Sequence, residues 1–246
     1  MPSPVPIVAF VWRPNEISLP VFEMAQRTGS RVIFDFSTME AEALGSYLQT
    51  ADVTGQVSDI KISAAALMNP ALGGLLKKTG VQNLWVECHP RFFPGDASAL
   101  LQRLRSLSED YHCFPIVGDV PLLTAMAKED SGIGRVVIKG CEAAGFVSCE
   151  TTLGLYAAVK EMLCASAKTL EIIVWGGVST PEAAAAFLST GAVGIVFESI
   201  HWLTDLVVMD DQQRQQIARL RLDSIINKFS PKKRVWARYQ KYALRV

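Results

Sequence analysis

Short apolar runs rich in β-branched residues alternate along this chain with longer segments in which apolar residues recur every three to four positions. The short runs are typical of buried strands, and the longer segments are typical of helices packed on a sheet. The predicted strands are Ile7–Trp12, Val32–Phe36, Val57–Ile62, Leu84–Cys88, Cys113–Val117, Val136–Ile138, Ile172–Trp175 and Gly194–Phe197. The predicted helices are Leu19–Thr28, Met39–Leu48, Ala64–Lys78, Asp96–Leu107, Leu122–Lys128, Thr151–Ala165, Pro181–Ser189 and Gln212–Asn227.

Strict alternation of strands and helices predicts a parallel sheet made of βα units, each of about 30 residues. Eight such units account for residues 7–227 of a chain of 246 residues. A (β/α)8 TIM barrel usually has about 250 residues, so we predict an α/β fold with one TIM-barrel domain over residues 1–227. An open doubly wound sheet is the alternative. It usually has a glycine-rich turn after its first strand, where this sequence has Arg13-Pro14-Asn15.

Two helix starts carry local capping signals. Thr180 comes directly before Pro181, which places a capping hydroxyl ahead of proline at the first helical position. Ser37 or Thr38 is a second candidate cap, for a helix that would begin at Met39. Both signals place helix starts just after predicted strands.

The charges of the chain are balanced in number but divided unevenly along it. There are 24 basic and 24 acidic residues, yet no acidic residue follows Asp223. The basic residues after that point are Lys228, Lys232, Lys233, Arg234, Arg238, Lys241 and Arg245. We predict that residues 228–246 are a basic segment linking the barrel to a following region or docking on an acidic neighbour. Two aromatic residues beside the basic ones, Trp236 and Tyr239, are too few for a nucleic-acid stacking platform, so no nucleic-acid partner is expected.

Composition excludes several other classes. The longest uncharged stretches, Ile62–Leu76 and Ala183–Phe197, are interrupted by polar residues and glycine and fall short of the roughly 20 apolar residues of a membrane helix. The amino-terminal residues show no basic region followed by an apolar one, so no secretory signal is expected. The five cysteines are odd in number and have no CxxC spacing, which predicts neither a disulfide framework nor a metal site. A reducing, cytoplasmic location is the expectation.

Ionisable residues are concentrated where the predicted strands end. In a TIM barrel the loops at the carboxyl ends of the strands hold the ligand. The residues at these positions are Arg13, Asp35, Lys61, Glu87, His89, Asp119, Lys139, Glu142 and Glu198. Any one of them could be a helix cap or a rim residue, but their number predicts a functional site at this face.

The loops after the last two strands predict a phosphate site. Gly176 and Gly177 end the seventh strand, and such a pair allows backbone amides to approach an anion closely. Glu198-Ser199 ends the eighth strand, and TIM barrels commonly hold a phosphate between these two loops. A plain tight turn is the alternative for the glycine pair.

The loop after the sixth strand is the second candidate site. Lys139 is delivered by a buried strand, and small residues follow it. Glu142 could accept hydrogen bonds from a ligand or pair with Lys139. Cys141 and Cys149 are interpreted as packing residues, because neither has an evident base beside it.

Two segments resemble a known family. IKGCEAAGFV (138–147) and IIVWGGVSTPEAAAAFLSTGAVGIVFES (172–199) are similar to the paired signatures of the nitronate monooxygenase (2-nitropropane dioxygenase-like) flavoprotein barrels, which include FMN-dependent enoyl-acyl carrier protein reductases. Within this family the sequence looks closest to barrel domains embedded in polyketide and polyunsaturated fatty-acid synthases. The features that indicate this are Lys139 before the glycine and Glu150-Thr151-Thr152 after the loop.

The resemblance implies FMN as cofactor and NADPH or NADH as reductant. It implies that the flavin phosphate is bound by Gly176, Gly177 and Ser199, and that the flavin is lined by Gly140, Glu142, Ala143, Ala144 and Gly145. Candidate proton donors are Lys139, Glu142 and His89. The implied partners are an acyl carrier protein-bound thioester substrate and neighbouring megasynthase domains.

The sequence also departs from the family pattern. Phe146 stands where the family has its catalytic histidine, and Ala9-Phe10-Val11 replaces Ala-Pro-Met in the first strand. Two interpretations therefore remain. The first is an FMN-dependent oxidoreductase that reduces an enoyl thioester. The second is an inactive barrel that serves as a structural or docking domain of a megasynthase. A barrel acting on another phosphorylated small molecule is a third.

Overall fold

The computed structural model describes residues 6–12, 23–25, 27–50, 57–89, 96–128, 131–143, 146–164, 169–198, 211–212, 215, 225–230 and 235–240. Eight parallel strands form a closed barrel in the order β1-β2-β3-β4-β5-β6-β8-β9, and β9 pairs back onto β1. The strands are β1 Ile7–Trp12, β2 Arg31–Asp35, β3 Asp59–Ser63, β4 Asn83–Glu87, β5 His112–Val117, β6 Arg135–Lys139, β8 Glu171–Trp175 and β9 Gly194–Phe197. The predicted TIM barrel is confirmed, and the open doubly wound alternative is wrong.

Helices follow the strands as the periodicity predicts. They are α1 Ala41–Thr50, α2 Ala64–Met68, α3 Leu72–Leu76, α4 Ala97–Leu107, α5 Val120–Ala127, α6 Thr152–Cys164 and α7 Pro181–Ser189. The single helix predicted over residues 64–78 is divided in two, because Asn69 before Pro70 has an extended backbone with ψ 121°. Of the first predicted helix, residues 23–25 and 27 are helical, and its other residues lie outside the described ones except for the turn at Thr28.

The two capping predictions have different outcomes. The Thr180 side chain accepts a hydrogen bond from the amide of Ala183, so the predicted cap of α7 is confirmed. The predicted cap at Ser37 or Thr38 is wrong, because α1 begins only at Ala41. The Ser37 hydroxyl instead donates to Asp35 Oδ1 over 2.6 Å.

The strands are buried on both faces, which explains why they read as continuous apolar runs. Successive side chains of a strand point to opposite faces, so every second residue enters the barrel. The inward apolar residues include Ala9, Val11, Ile33, Trp85, Phe114, Ile116, Val137, Ile173, Trp175 and Val196. Trp85 and Phe114 stack with ring centroids 4.3 Å apart, and Trp175 meets Trp85 edge-on at 6.5 Å. The interior is therefore a packed core in which large aromatic rings fill the middle.

A small antiparallel sheet lies outside the barrel. It consists of β7 (Phe146–Val147), β10 (Ile225–Ser230) and β11 (Val235–Gln240), in the order β10-β11-β7. The helix predicted over 212–227 is wrong at its end, since residues 225–227 lie in β10, and residues 213–214 and 216–224 are outside the described ones. The adjacent Ile225 and Ile226 are β-branched and favour a strand, and Pro231 follows where a turn is needed. The domain boundary at residue 228 stays a prediction.

Candidate functional site

Four charged side chains meet inside the barrel where β2, β3, β4 and β6 end. Lys61 Nζ lies 3.2 Å from Asp35 Oδ2 and 3.3 Å from Glu87 Oε2, and Lys139 Nζ lies 3.1 Å from the same Glu87 oxygen. The four side chains are between 2% and 8% exposed. We call Asp35, Lys61, Glu87 and Lys139 the charge cluster. Glu87 is its centre, because one carboxylate oxygen binds both ammonium groups.

Trp175, the last residue of β8, completes this layer. Its ring centroid lies 5.1 Å from Lys61 Nζ and 4.9 Å from Lys139 Nζ, within the range of a cation–π contact. Its indole Nε1 donates to Glu198 Oε2 over 2.9 Å. Glu198 follows β9, so the residues of the charge cluster, Trp175 and Glu198 together define the mouth of the barrel.

The pKa values of Asp35 and Lys61 show that their charges stabilise each other. Burial alone would raise the pKa of Asp35, but the Lys61 ammonium and the hydrogen bonds from Ser37 lower it to about 2. Burial alone would lower the pKa of Lys61, yet the carboxylates of Asp35 and Glu87, with a smaller contribution from Glu198, raise it above its usual value. Both groups are therefore ionised at neutral pH.

Acid is expected to weaken the fold through Asp35. Because its pKa in the folded protein is about 2, against an ordinary 3.8, the ionised carboxylate contributes stability at higher pH. That contribution is about 2 kcal/mol and is lost as the pH falls from about 4 through about 2. The difference in unfolding free energy between wild type and Asp35→Asn, measured by urea unfolding, should therefore shrink by this amount from pH 5 to pH 2.

Asp110→Asn is the control for this titration. Asp110 pairs with Lys77 at the surface, where both side chains are more than half exposed. The unfolding free energy of this variant should stay within about 0.5 kcal/mol of wild type at every pH. A constant difference between wild type and Asp35→Asn would contradict the coupling of Asp35 to Lys61.

The loop after β6 is fixed to the start of α6. Glu142 Oε2 accepts hydrogen bonds from the Thr152 amide at 2.8 Å and from its hydroxyl at 2.9 Å. A carboxylate at this position is favourable, because the amides of the first helical turn lack partners within the helix. Gly140 is buried against the same residue, so a Cβ atom there would lie 2.2 Å from Thr152 N. Glu142 is thus tied to α6 instead of to Lys139.

The same loop meets the glycine pair at the end of β8. Gly176 and Gly177 have φ angles of +101° and +69°, which side chains rarely adopt. A Cβ atom at Gly176 would lie 2.8 Å from the Ala143 amide nitrogen, whereas the nearest atom to one at Gly177 would be Glu142 Cδ at 3.7 Å. Gly177 is exposed. The loops after β6 and β8 therefore touch, and the backbone at Gly177 is open to a ligand.

Of the remaining predicted residues, His89 lies close to the charge cluster. Burial lowers the pKa of His89, as does Lys139, although Glu87 and a hydrogen bond with the Val147 backbone act in the other direction. The ring is therefore neutral at pH 7. Asp119 is a helix cap, since its side chain accepts from the Leu122 amide at the start of α5. Arg13, Ala144, Gly145 and Ser199 lie outside the described residues.

Lys139 and His89 thus lie near the same mouth of the barrel, whereas Glu142 contacts the start of α6. The contributions of Asp35, Lys61 and Glu87 to one cluster were not predicted. Their sequence signal was the alternation within each strand: Lys61 and Glu87 lie two residues after the inward-facing Asp59 and Trp85. Extending that alternation to the end of the strands would have placed them inside the barrel.

The part of the chain that the structure describes shows neither a metal-binding group nor a membrane-spanning helix. No His, Cys, Asp or Glu side chains there form a group of three or more that could hold a metal ion. No described helix has both the length and the apolar character that crossing a membrane requires.

Solved structures of known proteins share this fold. FabK from Thermotoga maritima is 15% identical with a TM-score of 0.68, over 96% of this chain and 72% of that one. Nitroalkane oxidase from Streptomyces ansochromogenes is 14% identical with a TM-score of 0.64, over 96% and 77%. The enoyl reductase domain of MlnA, from the macrolactin biosynthesis cluster of Bacillus amyloliquefaciens, is 14% identical with a TM-score of 0.60, over 96% and 63%.

No family model matches the sequence, and no curated protein matches it either. At 14–15% identity the structural likeness concerns the fold. The chain therefore shares the barrel fold of FabK, nitroalkane oxidase and an enoyl reductase domain, the fold that the motifs around β6, β8 and β9 had indicated.

Proposed function

We propose that this chain is an FMN-binding barrel of the nitronate monooxygenase-like group and acts as an enoyl-thioester reductase in a polyketide or fatty-acid synthase-type system. The observation that carries the proposal is the glycine pair at the end of β8. Two consecutive left-handed glycines stand where TIM barrels hold phosphate groups. The fold shared with an enoyl reductase domain supports the same reaction class.

The residues at the mouth are compatible with the phosphate of FMN. The backbone at Gly177 is exposed and has no atom within 3.7 Å of where a Cβ would stand. The nearest carboxylate, Glu142, accepts two hydrogen bonds from Thr152, which hold it on the start of α6. Gly176 and Gly177 would hold the phosphate, with Ser199 as the predicted third contact. Bound FMN would supply the hydride chemistry, passing a hydride from a nicotinamide to the enoyl thioester.

Reduction of the enoyl thioester also requires a proton at the α carbon of the substrate, and a residue of this chain would have to donate it. Of the three predicted donors, Lys139 is supported best, because its ammonium is fixed by Glu87 at the centre of the mouth. The neutral His89 ring would orient groups beside it, and the Glu142 carboxylate positions the loop after β6. Lys139 is therefore proposed as the donor.

A barrel without catalytic activity is the second candidate. Phe146 occupies the position of the family's catalytic histidine, and a phenyl ring cannot transfer a proton. Its backbone belongs to β7, which pairs with Ala237 of β11. In this case the domain would serve as a docking element beside other megasynthase domains.

The absorption spectrum of the purified chain separates the two candidates. We expect the purified chain to show a flavin absorption band, or to show one after FMN is added at a 1:1 ratio. The reason is that the backbone amides of the glycine pair would donate hydrogen bonds to the phosphate. Gly177→Asp should weaken FMN binding about 10- to 100-fold, since it places a negative charge beside the phosphate. Binding can be measured by quenching of flavin fluorescence.

Gly29→Asp is the matched control. Gly29 has a φ of +68°, almost the same as Gly177, and no atom within 4 Å of its Cβ position, but it precedes β2 at the opposite end of the barrel. The two variants should therefore carry similar backbone strain, which aspartate tolerates better than most residues. A colourless protein that does not bind added FMN would overturn the proposal, and equal loss in both variants would remove the phosphate assignment.

A further inference from the structure

We propose that Lys61 is a positioning residue that allows Lys139, the proposed proton donor, to release its proton inside the barrel. This inference rests on the proposed function for the choice of Lys139 as the donor. The contact on which it depends, Glu87 shared by the two lysines, needs no flavin. The inference and the proposed function can therefore fail separately.

The two lysines differ in how many carboxylates they contact. Glu87 Oε2 lies 3.3 Å from Lys61 Nζ and 3.1 Å from Lys139 Nζ. Lys61 also contacts Asp35 Oδ2 at 3.2 Å, whereas among the described residues Lys139 forms an ion pair with Glu87 alone. Of the two ammonium groups, the one of Lys139 is therefore held by fewer carboxylates, and it has to share the one that it contacts.

Release of the proton changes the surroundings of Glu87. An N–H bond of the Lys139 ammonium breaks, and a C–H bond forms at the α carbon with the electron pair that hydride addition to the β carbon leaves there. Lys139 becomes a neutral amine, which later takes a proton from water. A buried carboxylate that loses its cation is strongly destabilised, and the Glu87 side chain is only 3% exposed. Because Lys61 stays at 3.3 Å, Glu87 keeps an ion pair after the proton has left.

Lys61 itself keeps its proton. Burial alone would lower the pKa of Lys61, but nearby carboxylates raise it above its usual value. These carboxylates belong to Asp35, Glu87 and Glu198. A fixed positive charge on the shared oxygen also weakens the hold of Glu87 on the Lys139 proton, because like charges repel. Lys61 is thus the permanent cation, and Lys139 is the group that gives up a proton.

Several other ionisable groups surround the two lysines, from the ends of β2, β4 and β9 and the start of α5. They are Asp35, Glu87, His89, Asp119 and Glu198. The expected change lies in the alkaline range, where amines titrate and carboxyl groups ordinarily do not. Cys88 also titrates there, since burial raises the pKa of its thiol. The test must therefore observe the Lys139 nitrogen directly.

The decisive variant removes Lys61 together with its second carboxylate. The double change Lys61→Met and Asp35→Asn leaves Glu87 and Lys139 as a one-to-one pair, so no charge stays buried without a partner. The matched control is Arg31→Met with Asp59→Asn, which removes an ion pair between the same two strands at the opposite end of the barrel. Melting temperatures show that each variant is folded.

The first measurement uses the chain without FMN. Lysine labelled with 15N gives an Nζ resonance for Lys139, assigned by its loss in Lys139→Arg, and this resonance is followed against pH. In the double variant at Lys61 and Asp35, Lys139 should keep its proton to a pH about 1 higher than in wild type, because the repelling charge is gone. The control at Arg31 and Asp59 should follow wild type.

Two single variants extend this titration. Asp35→Asn should act in the opposite direction, because Lys61 then has no second carboxylate to offset its charge, so Lys139 should release its proton at a lower pH than in wild type. Lys61→Arg keeps a positive charge that does not deprotonate, so it should titrate as wild type does. A merely structural role of Lys61 predicts no such pair of opposite changes.

The second measurement is reduction of a crotonyl thioester by NADPH in the protein loaded with FMN. At pH 7 the double variant at Lys61 and Asp35 should lose about 10-fold in kcat with KM within twofold, because the proton is released less readily while substrate binding is unchanged. Lys61→Arg should restore most of the activity.

Three results would overturn the inference. They are an unchanged Lys139 titration in both the double variant and Asp35→Asn, an equal change in the control at Arg31 and Asp59, and loss of activity in Lys61→Arg with an unchanged titration. The last would mean that the proton of Lys61 itself is used. If the double variant does not fold, the direction of change in Asp35→Asn decides. A wild type that neither binds FMN nor reduces the thioester would refute the proposed function, and the titration would still decide the role of Lys61.

Discussion

Replacement of Glu87 by alanine is expected to lower the free energy of unfolding by about 3–5 kcal/mol, which is a large part of the stability of an ordinary domain. Glu87 Oε2 binds both Lys61 and Lys139, and all three side chains are almost fully buried. Without this carboxylate the barrel would enclose two ammonium groups with Asp35 as the remaining direct partner of Lys61. Lys139 would lose the carboxylate that it contacts, which leaves its buried ammonium without that compensation.

Two further variants separate charge from shape in this experiment. Glu87→Gln keeps an oxygen acceptor and the side-chain volume, so its loss of stability should be smaller than that of Glu87→Ala but still clear. Glu171→Ala is the control, since Glu171 pairs with Arg135 at the other end of the barrel with side chains 45% and 29% exposed. It should cost less than about 1 kcal/mol in urea unfolding. Similar losses for Glu87→Ala and Glu171→Ala would contradict the central position of Glu87.

Replacement of Gly140 by alanine is expected to cost about 3 kcal/mol or to prevent folding. The added Cβ would lie 2.2 Å from both the amide nitrogen and the hydroxyl oxygen of Thr152, and 2.5 Å from its Cα. Such overlap with backbone cannot be relieved by rotating a side chain, so the start of α6 would have to move. That movement would also break the hydrogen bonds between Thr152 and Glu142.

The same strand supplies a matched control. Gly134 comes directly before β6, as Gly140 comes directly after it, and no atom lies within 4 Å of a Cβ at Gly134. Its φ is not in the left-handed region, so Gly134→Ala should be neutral or stabilise the protein by about 0.5 kcal/mol. Thermal unfolding of the two variants checks the pair. Equal melting temperatures would show that α6 does not pack on Gly140 as the structure has it.

The mouth of the barrel has two supports. The charge cluster joins the ends of β2, β3, β4 and β6 through ion pairs, and the contact between Gly140 and Thr152 fixes the loop after β6 against α6. The proposed proton donor at Lys139 and the proposed phosphate site at Gly177 depend on both. A substitution that moves either support should therefore disturb the proposed site before it disturbs the opposite end of the barrel.

Most of the barrel could be predicted from local pattern. Each of the eight predicted strands overlaps an observed one, and α7 has the predicted bounds, because Pro181 and the Thr180 hydroxyl define a helix start locally. The errors lie where the local signal is weak or divided. Residues 64–78 are apolar enough to suggest one helix, but Asn69-Pro70 interrupts it. Ile225 and Ile226 fit the end of a helical pattern, but as β-branched residues they favour the strand that is observed.

The positions of the charged residues at the strand ends could be predicted, but their contacts could not. Lys139 and Glu142 are three residues apart, and a pairing between them was a reasonable expectation from sequence. Glu142 instead accepts hydrogen bonds from Thr152, ten residues away at the start of α6, where the first amides lack partners within the helix, and the Lys139 ammonium contacts Glu87. The competition between these partners exists only once α6 and β4 are in place.

The sequence by itself therefore determined that this chain is a (β/α)8 barrel and which residues stand at the ends of its strands, because strand and helix periodicity are local properties. Tertiary structure alone decided which charges meet. Asp35 and Lys61 are 26 residues apart, and Glu87 and Lys139 are 52 apart, so their contacts follow from the register and closure of the sheet. The last strands show the same limit: Ile225 and Ile226 favour a strand locally, but the pairing of β11 with β7 follows only from the tertiary structure.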